Sequence, residues 1–197
     1  MRLIIVRHGQ TADNVKHILS AAEGPNLNKI GKTQAKKAGE FLKKEKIDVA
    51  YSSDMLRAKQ TAEILLKFHS KAKLHLVKEL RDRDFGTFNF KTEEEAIQET
   101  KKEHSNWEDC QFKSGENFKD LQKRVVDFYK KVLKKYPSKT VLLVFHADAI
   151  AALIVYLLKK SIYEEKKYFP QNTSITIVEV NSRKCKVELL ESLKHLG

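Results

Sequence analysis

The densest functional chemistry in the chain lies within a few residues of its N-terminus. Arg7-His8-Gly9-Gln10-Thr11 presents a guanidinium, an imidazole, a bare backbone position and a hydroxyl within one short stretch. The guanidinium is a planar fork suited to phosphate, and the imidazole can act as nucleophile or proton carrier near neutral pH. The glycine lets the backbone approach a ligand closely. Together these groups suit an oxyanion. Further candidates lie far along the chain: Arg57, the acid- and arginine-rich stretch Lys78-Glu79-Leu80-Arg81-Asp82-Arg83-Asp84-Phe85-Gly86, and a second imidazole at His146.

Regular elements must bring these groups together. Met1 to Val6 is a short apolar run with β-branched members, so it reads as a buried strand that delivers Arg7 and His8 into a loop. Ligands in α/β proteins collect at the carboxyl ends of such strands. Asn28 stands where a helix cap is needed, and Ile30, Ala35, Ala38, Phe41 and Leu42 share one stripe, which predicts a helix over 29–46. A strand over 47–51 then runs into Ser52-Ser53-Asp54, able to cap a helix over 55–68. Arg57 falls in the first turn of that helix, where the macrodipole disfavours a cation. A bound anion would explain it; an ordinary surface arginine is the plainer alternative.

Leu74 to Val77 reads as a third strand, and Thr92 with Glu95 forms a capping box opening a helix to about residue 103. Residues 104–116, with Trp107, show no clear period and form either a lid or a surface loop anchored by its aromatic ring. Asn117 caps the clearest helix, in which Leu121, Val125, Phe128, Val132 and Tyr136 recur at helical spacing before Pro137-Ser138. Thr140 to Phe145 is a continuous apolar run, the mark of a strand buried on both faces, and it ends in His146. Ala149 to Leu158 is apolar all round and predicts a buried helix, with Asp148 as its outward-facing N-cap. Ser161 to Lys167 reads as a helical turn or two, and 174–180 with 186–190 as a closing strand pair. Strand and helix alternate, which predicts an α/β three-layer sandwich with a mostly parallel central sheet flanked by helices. Two histidines each end a buried strand, and they face one crevice if those strands are neighbours.

At 197 residues, with 41% hydrophobic and 32% charged composition, the chain reads as a single globular domain over 1–197. No apolar run approaches the roughly 18 residues of a membrane span. No export signal is evident at the start, so the expected location is cytoplasmic. Cys110 and Cys185 belong to no C-x-x-C pair and read as free thiols, and no metal-ligand spacing is present. The formal charge of +12 raises nucleic acid as a partner, but 31 of the 38 basic residues are lysines interleaved with acids, as on solvated helix faces. Neither nucleic acid nor a membrane is the expected partner. The oligomeric state stays open, a dimer included.

Arg7-His8-Gly9-Gln10-Thr11-Ala12-Asp13-Asn14 resembles the R-H-G-x-T-x-x-N signature of the histidine phosphatase superfamily, the phosphoglycerate-mutase-like proteins. More blocks agree in order: Leu27-Asn28-Lys29-Ile30-Gly31 with Gln34-Ala35, Ser52 to Ala62 as S-S-x-x-x-R-A-x-Q-T-A, Leu80 to Gly86 as L-R-E-x-x-F-G, Gly115-Glu116, and the strand into His146. The resemblance implies that His8 attacks phosphorus and carries the phosphoryl group as a phosphohistidine, with no cofactor and no metal. It implies phosphate contacts from Arg7, Arg57, His146 and Asn14, with a backbone N–H from Ala147, and a proton for the leaving alkoxide from Asp82. Glutamate is commoner than Asp82 at that position, so Asp84 and Glu79 stay open as donors. Phe88-Asn89-Phe90 replaces a W-E-G-like turn and His146-Ala147-Asp148 replaces His-Gly-Gly, departures that bear on substrate. An inward Asp148 would repel a dianion, so phosphate binding requires its capping role. The resemblance makes a small-molecule phosphate ester the expected partner and phosphomonoester hydrolysis the expected activity. Phosphoglycerate-type mutases shield the intermediate with long covering segments, for which 86–115 leaves little room, and a non-catalytic module would have lost a core residue.

Overall fold

The structure is a computed structural model and describes residues 1–20, 24–101, 107–181 and 184–197. In chain order its elements are β1 (Arg2–Arg7), α1 (Ala12–Lys16), α2 (Lys29–Leu42), β2 (Val49–Ser53), α3 (Leu56–Leu66), β3 (Lys73–Val77), α4 (Glu93–Thr100), α5 (Phe118–Lys135), β4 (Thr140–Phe145), α6 (Ala147–Leu157), β5 (Ile175–Val180) and β6 (Cys185–Ser192). The strands form one sheet in the order β3-β2-β4-β1-β5-β6. β1, β2, β3 and β4 are mutually parallel, and β5 runs antiparallel to β1.

Alternation along the strands divides the core. Leu3 and Ile5 of β1 with Leu143 and Phe145 of β4 face one way, against α5 and α6, where Leu121, Val125, Leu153 and Leu157 are buried. Ile4 and Val6 with Leu142 and Val144 face the other way, against Ala38 and Leu42 of α2 and Ala62 and Leu65 of α3. The predicted three-layer α/β arrangement is therefore present. Each large apolar side chain buried in this way contributes about 1.5–3 kcal/mol, so the central strands are the most firmly held part of the molecule.

The helix starts obey their caps. Asn28 Oδ1 accepts from Gly31 N at 2.8 Å, Asn117 Oδ1 accepts from Asp120 N at 2.8 Å, and Thr92 with Glu95 closes a capping box. Several bounds differ from expectation. α2 ends at Leu42 because the lysine-rich stretch after it has nothing to bury, and β2 runs two residues further than predicted, to Ser53. The first helix, α1, goes unpredicted because its five residues bury no apolar stripe; it is held by a capping box between Thr11 and Asn14. Ser53 Oγ accepts from Met55 N at 3.2 Å, whereas Asp54 is occupied by Arg81 at 2.7 Å and caps nothing. α6 begins two residues earlier than predicted: His146 holds the N-cap position and Asp148 is the second residue of the helix, so Asp148 is not a cap. The predicted end of α4 near residue 103 and the start of the irregular segment at 104–106 lie outside the described residues.

Two glycines let the opening loop cross the start of α2. A Cβ on Gly9 would lie 2.5 Å from Gly31 O, and a Cβ on Gly31 would lie 2.1 Å from Gln10 O. Gly9 is thus needed for the approach of backbone to backbone. Gly31→Ala should force the loop away from α2, lowering stability by about 1–3 kcal/mol as overpacking does and reducing turnover with it. An unchanged urea midpoint would contradict this account.

Candidate active site

The parallel pairing of β1 with β4 aligns Val6 with Val144 and Arg7 with Phe145. The ladder continues one residue further, with His8 N donating to Phe145 O at 2.9 Å. His8 and His146 therefore leave the sheet side by side, their ring centroids 5.1 Å apart and 59° from coplanar. His8 is tied from several directions. Its carbonyl accepts from Asn172 Nδ2 at 3.0 Å and from Thr173 N at 3.3 Å, and Gly9 N donates to Thr61 Oγ1 at 3.0 Å. Thr61 Oγ1 in turn donates to Arg57 O at 2.7 Å, which locks the loop to α3.

The tautomer of His8 follows from one contact. Nδ1 lies 2.8 Å from Gly9 O. A carbonyl can only accept, so Nδ1 carries the proton and Nε2 keeps its lone pair. Burial, then the charges of Arg57 and Arg7, hold the His8 imidazole well below its ordinary value, so it stays neutral at physiological pH. His146 is depressed in the same way, first by burial and then by Arg57, His8 and Arg7. It is fully enclosed, and neither ring nitrogen has a hydrogen-bond partner.

A carboxyl stands beside this pair. Asp82 Oδ2 is 3.9 Å from His146 Nδ1, and Asp82 Oδ1 is buried without a partner. Burial raises the Asp82 carboxyl above its ordinary value although Arg57 and Arg7 pull it down. Its backbone is fixed by Arg124, whose Nη2 reaches Asp82 O at 3.3 Å while Nη1 donates to Arg81 O at 3.0 Å. Arg124 is braced by a two-point ion pair with Glu116, at 3.0 and 2.8 Å. Arg7 Nη1 donates to Pro170 O at 2.6 Å, and Arg57 Nη2 to Ser20 O at 3.4 Å.

A cavity of about 610 Å³ opens here, its walls including Arg7, His8, Asn14, Arg57, Asp82 and Ala147; His146, fully enclosed against His8, is not on its wall. Asn14 spends its Oδ1 on Thr11 N at 3.1 Å and Asn172 Nδ2 at 3.1 Å. Ala147 opens α6 and adds the positive end of that helix. The alternatives to Asp82 are placed elsewhere. Asp84 Oδ1 accepts from Gly86 N and Asn89 Nδ2, both at 2.9 Å, and neither Asp84 nor Glu79 lines the cavity.

Two expectations need correction. Asp148 lines the cavity instead of facing outward, because starting α6 at Ala147 turns its second residue toward the strand ends. It does not cancel phosphate binding there: burial and repulsion from Asp82 push its carboxyl up to about 7, so it is substantially protonated near neutral pH. Phe88 and Phe90, expected to shape the substrate site, line none of it. Phe88 packs on Phe112 at 5.6 Å, and Phe90 is 59% exposed in a left-handed conformation, φ 71°. Trp107, by contrast, lines the cavity and is anchored on Phe112 at 5.2 Å, the anchoring role expected of it.

Sequence reasoning missed Asn172, Glu93, Glu165, Phe169 and Leu196, all on the cavity wall. The polar turn Gln171-Asn172-Thr173 directly before a buried strand is a signal that could have found Asn172. Nothing local marks the others. Among the described residues no group of three His, Cys, Asp or Glu is placed to hold a metal ion, and no helix is long and apolar enough to cross a membrane.

Comparison with known proteins agrees with this geometry. The profile of the histidine phosphatase superfamily (branch 1) matches residues 3–192. A 2,3-bisphosphoglycerate-dependent phosphoglycerate mutase of Bartonella bacilliformis is 33% identical over 79% of this chain and 80% of its own length. A broad-specificity phosphatase of Saccharomyces cerevisiae is 32% identical over 100% of this chain and 88% of its own. YhfR of Bacillus stearothermophilus shares the fold, with a TM-score of 0.90 and 24% identity over 100% of this chain and 99% of its own. The match to the family profile over nearly the whole length, with His8 and both arginines on one cavity wall and His146 packed against His8, shows that the chain belongs to the histidine phosphatase superfamily, branch 1.

Proposed function

We propose that the protein hydrolyses phosphomonoesters through a phosphohistidine on His8. The observation that carries this reading is the neutral His8 ring, its Nε2 lone pair freed by the Nδ1 contact to Gly9 O at 2.8 Å, beside the half-buried Arg7 and the buried Arg57. Arg7 and Arg57 meet the phosphoryl oxygens, with His146, Asn14 and the Ala147 N–H beside them, all in place before substrate arrives. His8 Nε2 forms the N–P bond as the ester P–O bond breaks, and the departing alkoxide takes the proton of Asp82. Water then attacks phosphorus, gives its proton back to Asp82, and displaces His8 as inorganic phosphate leaves. A raised carboxyl suits this exchange, because it holds its proton further up the pH scale than an exposed aspartate does.

The mutase relative keeps a second reading in view. Its match covers 80% of its own length, so chain length does not separate the two. One observation favours hydrolysis: the broad-specificity phosphatase aligns over this whole chain, the mutase over 79% of it. Incubation with 3-phosphoglycerate, with and without its bisphosphorylated primer, decides between them: phosphate release without isomer formation supports the hydrolase. The same reading makes the enzyme metal-independent, since arginines take the place a cation would fill.

His8→Ala should lower turnover of 4-nitrophenyl phosphate at least about a thousandfold without unfolding the chain; retained turnover would dispose of the mechanism. Wild-type activity should survive EDTA, and strict metal dependence would count against the proposal. Asp82→Asn should slow alkyl phosphates about 10²- to 10⁴-fold, the usual scale of general acid catalysis, and nitrophenyl phosphate less than about tenfold. In the wild type, alkyl phosphate hydrolysis should decline as pH rises through the raised value of Asp82. A decline of equal depth in the variant would assign the proton to another group.

A further inference from the structure

The reacting end of the cavity is cationic, but the rest of its wall is not. Asp148 from α6, Glu93 at the start of α4 and Glu165 from the 3-10 turn Ile162–Tyr168 face the same space as Asp82. They repel one another. Burial, then Asp82, with a further push from Glu93, raises Asp148 to about 7 against the pull of Arg83 and Arg7. Glu165, 4% exposed, is pushed up to about 8 by burial, by its hydrogen bond with Glu108 and by Asp148. The cation on this wall, Lys166, is 4.0 Å from Glu108 and 70% exposed.

The unpartnered groups around His8 point to where a ligand's phosphate would sit. His146 is fully enclosed, both its ring nitrogens lack partners, and it faces His8 at 5.1 Å with Asp82 Oδ1 also unsatisfied. Buried polar groups are rarely left this way unless something arrives to meet them. A phosphoryl group held there by Arg7 and Arg57 directs its ester oxygen toward Asp82, since the acid must reach it. The substituent beyond that oxygen then lies near Asp148.

On the footing that the cavity binds a phosphomonoester at His8, we infer that its leaving-group end selects an alcohol carrying an ammonium group. Asp148 sets that preference, assisted by Glu93 and Glu165. A cation between these carboxylates replaces their mutual repulsion with attraction and favours their ionised forms. A carboxylate or a second phosphate in the same place would add to the repulsion, and a hydroxyl would do neither. Discrimination here works through a repulsive element as much as an attractive one. The lysine-rich surface does not alter this, because exposed charges beyond about 10 Å are screened by salt while those inside the cavity are not.

A matched series tests it. O-phosphoethanolamine, 2-hydroxyethyl phosphate and phosphoglycolate share two carbons and end in ammonium, hydroxyl and carboxylate. At about pH 8, wild-type kcat/KM should fall in that order, with the ammonium ester at least about 30-fold above the carboxylate. Asp148→Asn should shrink that ratio about tenfold, mainly through KM, and Asp148→Glu should keep it. Leaving-group reactivity is common to all three enzymes, so the change in ratio isolates the side chain. Equal rates across the series, a preference for phosphoglycolate, or a ratio untouched by Asp148→Asn would overturn the inference. If 4-nitrophenyl phosphate is still hydrolysed in that event, only the inference falls; if no ester is hydrolysed at all, the phosphatase reading falls with it.

Discussion

One piece of backbone pairing governs the site: the parallel ladder between β1 and β4, carried past the end of β1 by the bond from His8 N to Phe145 O at 2.9 Å. Parallel strands point their carboxyl ends the same way, so two histidines separated by most of the chain leave the sheet as neighbours. A one-residue slip would turn Val6 and Val144 to the opposite face and part the rings, and the packing of both faces forbids it. The geometry of the candidate site is thus fixed by the most deeply buried part of the molecule. Loops then refine it, through Thr61, Asn172 and Thr173 on the His8 backbone and Arg124 on Asp82.

Burial also determines the chemistry. Two imidazoles beside two guanidiniums in an enclosed site stay neutral, each with one ring N–H, and the Nδ1 contact of His8 leaves the lone pair on its Nε2. The same burial raises the Asp82 carboxyl above its ordinary value. The arrangement costs stability. Arg7 Nε, Asp82 Oδ1 and both His146 ring nitrogens are buried without partners, and such groups cost about 1–3 kcal/mol each. That strain is located where a phosphoryl group would relieve it, as expected of a site organised for a transition state.

The framework was legible because it is local. Asn28, Thr92 and Asn117 announce helix starts by side-chain chemistry that needs no tertiary context, and the apolar runs ending at Arg7 and Phe145 announce buried strands. Ordered motifs then placed Arg57 and Asp82 in the same cavity as His8. What stayed hidden depends on distant contacts. Asp148 looked like a cap because aspartate is a favoured one; His146, directly after β4, takes the N-cap position instead, which starts the helix earlier and turns Asp148 inward. Glu165, Phe169 and Leu196 reach the cavity from segments with ordinary surface composition, and no periodicity can report that. Phe90 misled by its identity: a bulky ring where a glycine is common suggested a substrate contact, yet its backbone takes the left-handed turn and its ring faces solvent.

The central claim is that His8 carries the phosphoryl group on Nε2, and rapid quenching of the enzyme with 4-nitrophenyl phosphate tests it most directly. Peptide mapping by mass spectrometry of the quenched protein, handled at alkaline pH where phosphohistidine survives, should find one phosphoryl group, on the peptide containing His8. Phosphorus NMR should then assign it to Nε2. A phosphoryl group on any other residue, or turnover with no covalent intermediate at the earliest quench times, would contradict the account.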